Sequence, residues 1–404
     1  MNQYSTSGMS LDRLKRIDSF IQEKYLNTNR FVGTLTGIFR KGSLVHCSAL
    51  GLMDRERNKP VSRDTIFRIY SMTKPIVSVA LMKLFERGCF QLDDPVKKYI
   101  PEFSDLRVYA SGTYPTFDTS PPDRLMTVRD LLTHQSGLSY GQTSKSEVDK
   151  AYRFIGIGRE HQKTLQEMVQ SLSSLPLEFS PGRKWNYSVS TDVCGYLIEV
   201  ISGISLDNFL EQEIFTPLDM TDTGFYVPKE NLGRLAANYQ YQLSGLPKLV
   251  DDPFTGDYSA KPTLLSGGGG LVSTMDDYIK FCEMILSNGT YKDKRILSRK
   301  TIELMSQNHL SSKGDLTSVA LGRWSETAFS GVGFGLGFAV LIDPTAAQIP
   351  GSVGSLDWGG AASTAFWIDP VEDLAVVFLT QLRPSTIFNI RRELRTLVYS
   401  AIDD

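Results

Sequence analysis

Residues 68–75 read RIYSMTKP, which places a serine between an apolar run of strand character and a long apolar helix, with a lysine three positions on. In a helix, positions i and i+3 share a face, so the Lys74 amine can approach the Ser71 hydroxyl. Pro75 falls in the first turn, where its missing N–H costs little. The free N–H groups of a helix start, and its dipole, favour negative charge, which suits both a nascent alkoxide and an oxyanion. A desolvated lysine can give up its proton, or stay charged and lower the pKa of a neighbouring tyrosine from its usual value of about 10. Taken alone, S-x-x-K recurs by chance, and a helix-capping serine beside a solvated lysine fits it equally well. The rest of the chain has to decide.

Working outward, the spacing predicts a helix over 10–26, with Ser10 as N-cap and Leu11, Leu14, Ile17, Ile21 and Tyr25 as its apolar stripe. Alternating runs at 32–39 and 44–50 flank a Lys41-Gly42 turn and read as a hairpin, with 65–70 as a third strand candidate. A strongly apolar helix follows over 72–87, stopped at Gly88. From about 95 to 325, helical patterns at 128–134, 165–173, 192–201 and 276–286 alternate with loops rich in Pro, Gly and Tyr, and strand signals are sparse. Strands return at 333–342, 362–368 and 374–380 before a closing helix over 387–401. The expected architecture is therefore α+β: one antiparallel sheet built from both chain ends, with helices on its faces and a mainly helical inserted region. The corresponding domains are 1–95 with 326–404, and 96–325.

Composition narrows the function classes. With 404 residues, 41% hydrophobic, 22% charged and a net charge of −2, the chain is an ordinary globular protein without the basic field that nucleic acid requires. Cys47, Cys89, Cys194 and Cys282 form no C-x-x-C pair, and each is expected as a reduced thiol in apolar packing. The N-terminal stretch lacks the apolar core of a secretory signal and no run reaches the length of a membrane span, so a cytoplasmic protein without a membrane partner is expected. The four histidines are isolated, the glycine run 267–270 lacks the Lys-Ser/Thr of a phosphate loop, and residues 333–338 read as strand. No metal and no organic cofactor are expected.

A second serine competes for attention. Residues 137–141 read GLSYG, the G-x-S-x-G pattern that presents a nucleophile on a tight strand-to-helix turn in many esterases. Its context argues otherwise. Residues 127–134 carry a helix start and helical spacing instead of a buried strand, and beyond Ser139 only His161 and His309 remain, both in polar segments expected to be exposed. Ser139 reads as a loop residue.

Six ordered blocks then carry a resemblance: RIYSMTKP at 68–75, LDDPVKKYIPEF at 92–103, TVRDLLTHQSGL at 127–138, PGRKWNYS at 181–188, GGGLVSTMDDY at 268–278 and WGGAASTAFWIDP at 358–370. The chain resembles the class C β-lactamase and penicillin-binding-protein superfamily, most closely its esterase branch, the family VIII carboxylesterases. The resemblance implies a β-lactamase/DD-peptidase-like fold, Ser71 as acylated nucleophile and Lys74 as its partner. Tyr187 would be the general base, its phenolate held by Lys74, with the N–H groups of Ser71 and Ala361 as oxyanion hole. Trp358, Gly359 and Gly360, where β-lactamases have Lys-Thr-Gly, would line the substrate, and Tyr140 would border the acyl pocket.

Two departures bear on substrate. Tryptophan at 358 offers an apolar face and one N–H where a lysine would meet a carboxylate, and Val189 replaces an asparagine that would bond a substrate amide. Both favour small uncharged esters, hydrolysed by water through an acyl-serine, with only weak opening of β-lactams. The alternatives are a β-lactamase, D-aminopeptidase or transacylase on the same machinery, or a scaffold protein without turnover.

Overall fold

The two apolar runs near the N-terminus form β1 (Gly33–Arg40) and β2 (Ser43–Asp54), which pair antiparallel around the Lys41-Gly42 turn. Those near the C-terminus form β4 (Val332–Phe334), β5 (Ala339–Leu341), β6 (Leu356–Gly359), β7 (Ala365–Asp369) and β8 (Leu374–Thr380). With the short β3 (Lys59–Pro60), they make one antiparallel sheet in the order β4-β5-β6-β7-β8-β1-β2-β3. The join between chain ends is the β8–β1 ladder, from Thr34 opposite Thr380 to Arg40 opposite Leu374. This computed structural model describes residues 6–142, 145–157, 163–322 and 326–404.

The sheet is covered on both faces, so its central strands read as nearly continuous apolar runs. Along β8, Ala375, Val377 and Leu379 enter one core, while Leu374, Val376 and Phe378 enter a second. The second core lies under α1 (Leu11–Ile21) and the C-terminal helix α5 (Ile390–Tyr399), joined by Tyr25 and Lys24 donating to Glu393. The larger core holds α2 (Thr73–Glu86), α3 (Ser190–Ser202) and α4 (Met275–Leu286). Helix α2 is apolar nearly all round, as a helix buried on every side must be. Each buried Leu, Ile or Val of that kind contributes about 1.5–3 kcal/mol. Among the described residues no single helix is long and apolar enough to cross a membrane.

Several elements differ from the sequence reading. Ser10 has extended N-cap geometry but makes no side-chain cap bond, Leu11 lies 37% exposed off the apolar stripe, and a π turn ends the helix at Leu26. Only Phe67–Arg68 of the 65–70 run is strand, and it pairs with Val272–Ser273 outside the main sheet. The 333–342 run, expected as one strand, is a hairpin. Gly337 has φ +92°, and a Cβ there would lie 2.2 Å from Ser78 Oγ, so the chain can turn only where no side chain is present. Strand β7 starts at Ala365 because residues 360–364 form a turn, closed by Gly360 N–H donating to Thr364 O at 3.0 Å. Cys194 and Cys282 pack in apolar surroundings, whereas Cys47 is half-buried and Cys89 exposed. His309, expected exposed, is half-buried with Nε2 2.8 Å from Leu304 O, and His161 lies outside the described residues.

Candidate active site

A short ladder sets the position of Ser71. After the Phe67–Arg68 strand, Ile69 N–H donates to Leu271 O at 3.1 Å and Leu271 N–H donates to Thr73 Oγ1 at 3.1 Å, tying the turn to the glycine-rich loop. Between these ties the backbone reverses at Tyr70, whose φ of +44° is rare for a residue with a side chain. Ser71 thus sits in a single 3-10 turn that runs directly into α2, and the residue is 4% exposed. The constrained strand-to-helix turn sought at Ser139 is present here.

Two side chains converge on the Ser71 hydroxyl. Tyr187 donates to Ser71 Oγ at 2.6 Å, and Lys74 Nζ lies 3.3 Å from the same oxygen while donating to Gly268 O at 2.6 Å. Burial pushes the Lys74 ammonium down to about 8, and the negative charges of Asp192 and Glu326 pull weakly the other way. Burial holds the Tyr187 phenol well above its ordinary value, reinforced by Tyr140 and Glu326 and opposed by its hydrogen bond to Ser71. Near neutral pH, Tyr187 is therefore a phenol, and about one Lys74 in ten is a free amine. Lys74 Nζ faces the Tyr187 ring at 4.5 Å from its centroid and the Tyr140 ring at 5.4 Å, and these two rings stack at 5.4 Å.

The third strand of the site is β6. Trp358 packs edge-on to Tyr187 at 5.3 Å, and its partner across the ladder is Phe366. At Gly360 a Cβ would lie 2.4 Å from Ile69 O, so only glycine lets the turn after β6 approach the backbone next to Ser71. That approach brings the Ala361 segment beside the Ser71 segment. Behind the turn, Arg391 of α5 occupies the space of a Gly359 side chain, 2.4 Å from its Cβ position. Its guanidinium donates to Gly360 O at 2.9 Å, Thr364 O at 2.8 Å and Glu326 Oε2 at 2.7 Å.

Sequence reading missed several of these groups. Asp192, in the first turn of α3, accepts from Ser266 at 2.6 Å and from Gly268 N–H at 3.0 Å, which fixes the carbonyl that holds Lys74. A Cβ at Gly268 would lie 2.3 Å from that carboxylate, so the glycine run is a packing requirement and not a phosphate cradle. His134, buried and at φ +56°, accepts from Ser188 N–H through Nδ1 at 3.3 Å and lies 5.0 Å from Tyr187. Burial and the Lys74 charge keep it neutral. Only the block 127–138 signalled it, and no spacing rule separates such a histidine from one that packs.

Ser139 is fully buried and donates to Asp149 Oδ1 at 2.6 Å. Asp149 also accepts from Gly141 N–H at 2.8 Å and pairs with Arg153. The surrounding loop serves the other site: Ser139 O accepts from Val189 N–H at 3.1 Å, Leu138 O accepts from Asn186 Nδ2 at 3.0 Å, and Tyr140 stacks on the Tyr187 ring at 5.4 Å.

Comparison with known proteins shows the family and the fold. The beta-lactamase family model matches residues 18–400. The chain belongs to the beta-lactamase family. It is 34% identical over 355 residues to Protein Rv1367c of Mycobacterium tuberculosis, covering 87% of this chain and 86% of that one. It is 32% identical to Esterase EstB of Burkholderia gladioli, covering 90% and 89%. Among solved structures, EstCE1, described as a hydrolase with promiscuous acyltransferase activity, superposes with a TM-score of 0.79 at 27% identity, covering 97% and 99%. The chain is thus a serine hydrolase of β-lactamase-like fold, similar to the family VIII esterases in sequence and architecture.

Proposed function

We propose that the chain hydrolyses small carboxylic esters whose reacting group is uncharged, through an acyl-Ser71 intermediate. The observation that carries this reading is the convergence of Tyr187 and Lys74 on one serine hydroxyl. A neutral Lys74 donates one N–H to Gly268 O and keeps its lone pair for the serine side, so it is the group able to take a proton. Tyr187, a phenol, donates to Ser71 Oγ and steadies that oxygen as it loses its proton, in place of the phenolate base the family resemblance implied.

As Ser71 Oγ bonds to the ester carbon, its proton passes to the free amine of Lys74, 3.3 Å away. The carbonyl oxygen becomes an oxyanion facing the N–H groups of Ser71 and Ala361. The C–O bond to the alcohol then breaks, and the alcohol leaves with the proton returned from Lys74. Water repeats both steps on the acyl-serine, releasing the acid. Trp358, Gly359 and Gly360 form one wall for the substrate and Tyr140 the opposite one. Trp358 gives that wall an apolar face, and Val189, itself buried, offers a substrate amide no hydrogen bond from its side chain.

The names of EstB and EstCE1 support ester chemistry, and the latter adds a second reading: an alcohol replacing water at deacylation makes the enzyme an acyltransferase. The test is fluorophosphonate labelling with peptide mapping, together with p-nitrophenyl butyrate turnover. The label is expected on Ser71, and Ser71→Ala is expected to lose turnover by about 10⁴-fold or more. Label on another serine, or an active Ser71→Ala protein, refutes the assignment. Opening of a chromogenic cephalosporin is expected to be much slower than ester hydrolysis.

A further inference from the structure

The acids around the site each have a partner. Asp251 pairs with the buried Arg68 at 2.6 Å, Glu326 with Arg391 at 2.7 Å, and Asp192 is held by Ser266 and Gly268 N–H. One guanidinium is left over among the described residues around the site. Among the described residues, the half-buried Arg383 makes no ion pair and no side-chain hydrogen bond, and its guanidinium contact is the face of Tyr70, 5.6 Å from the ring centroid.

Its position is fixed by its neighbours and not by its own charge. Leu382 N–H donates to Ala362 O at 3.1 Å and Ser363 Oγ donates to Leu382 O at 2.7 Å, so Arg383 follows a segment bound to the turn that carries Ala361. Tyr241 N–H donates to Arg383 O at 2.7 Å and fixes the other side. Tyr70 immediately precedes Ser71, and Asn238 Nδ2 donates to its hydroxyl at 2.7 Å, which holds the ring under the guanidinium. The Arg383 charge also acts on Tyr140 across the site, opposing the rise that burial imposes on that phenol. A guanidinium therefore lies on the ring of the residue preceding Ser71, on a segment bound to the turn that carries Ala361, with no hydrogen-bond partner for its donors among the described residues. An arginine stacked on an aromatic ring keeps its planar fork of donors free for a carboxylate.

We propose that Arg383 forms a subsite for a carboxylate carried by the ester substrate at a distance from the scissile bond. The proposal rests on the reading of Ser71 as nucleophile and extends it to substrate class. Trp358 removes a cation from the wall where β-lactamases have one, and Arg383 supplies a cation from a different segment. Neutral esters are substrates, and esters bearing a suitably placed carboxylate are better ones.

Two pairs of substrates test this. A p-nitrophenyl hemiester of glutaric acid is compared with its neutral methyl ester, which places the anion on the acyl side. 4-Acetoxybenzoate is compared with its methyl ester, which places it on the alcohol side. In at least one pair the wild-type protein is expected to prefer the anion in kcat/KM, and added salt to reduce that preference. Arg383→Gln is expected to lower kcat/KM for the preferred anion about tenfold or more, as loss of a charge-assisted bidentate contact does, with the neutral esters nearly unchanged and Arg383→Lys intermediate. Equal anion-to-neutral ratios in wild type and Arg383→Gln for both pairs overturn the subsite. Neutral-ester turnover surviving in Ser71→Ala overturns the nucleophile reading instead, so the two failures are distinct.

Discussion

The segments around Ser71 and Ser139 hold the same side chain in opposite circumstances. Ser139 is fully buried, and its hydroxyl is committed to a carboxylate that already has an arginine. Among the described residues its neighbours are the carboxylates of Asp149, held in an ion pair, and Glu178, which accepts from Ser146. Ser71 accepts from a phenol, adjoins a lysine whose amine is partly free near neutral pH, and opens a helix after a residue at φ +44°. A glycine-flanked serine is therefore a weak indicator, and a serine with a base and a rigid turn is a strong one. The two segments also cooperate, since the Ser139 loop bonds to the chain on both sides of Tyr187 and lays Tyr140 on its ring.

The sharpest way to break the contrast is to remove the base. Lys74→Arg keeps a cation but cannot lose a proton near neutrality, and is expected to reduce kcat for p-nitrophenyl butyrate by about 10³-fold or more. In the wild-type protein the Lys74 value of about 8 sets the sign of the pH profile. The amine is protonated and inactive below it and free above it, so kcat/KM is expected to rise through pH 7 and level off past 8. A profile that falls over this range would contradict Lys74 as the proton acceptor.

A smaller effect is expected behind the turn after β6, which we propose carries an oxyanion donor. Arg391 holds Gly360 O and Thr364 O from the side of the sheet opposite Trp358, and so acts on the Ala361 N–H only by positioning it. Arg391→Ala is expected to reduce kcat by about 10- to 100-fold, less than outright loss of an oxyanion donor, with KM for a small ester little changed. Arg391→Lys is expected to recover part of the loss, because one ammonium can reach one of the two carbonyls. A change in KM alone would point to a wall of the pocket and not to the turn.

The smallest effect on activity belongs to Ser139→Ala. Turnover is expected to stay within a few-fold of wild type, while stability in urea falls by about 1–3 kcal/mol because the Asp149 carboxylate loses a buried donor. Ser71→Ala is expected to show the reverse, with little change in stability and loss of turnover. If Ser139→Ala lost activity as Ser71→Ala does, the contrast between the two segments would collapse.

Much of the fold was legible because apolar periodicity is a local signal. The strand over 374–380 and the helix over 165–173 form with the bounds the pattern predicts. The 333–342 run was misread because alternation of glycine and aromatic residues suits a strand as well as a hairpin. The choice was made by Ser78 on α2, which leaves no room for a side chain at Gly337. Phe67–Arg68 left the main sheet for a similar reason, since its partner Val272 lies two hundred residues away in sequence and no pattern within 65–70 names it.

By itself, the sequence determined the α+β class, the sheet drawn from both chain ends, the family, and the candidates Ser71, Lys74, Tyr187 and Trp358. The class, the sheet and the Ser71–Lys74 pair are carried by residue type and spacing, which are properties of short segments, while the family, Tyr187 and Trp358 came from the resemblance of longer sequence blocks. Tertiary structure alone decided how the candidates meet, which proton each holds and what supports them. Burial pushes Lys74 down and Tyr187 up, and burial depends on what every other segment places around a side chain. Asp192 fixing Gly268, Arg391 holding the turn after β6, and Arg383 lying on the Tyr70 ring with no acid partner among the described residues arise from contacts between segments far apart in the chain. Charge and hydrogen-bond partners are relations between residues, and only the folded chain defines them.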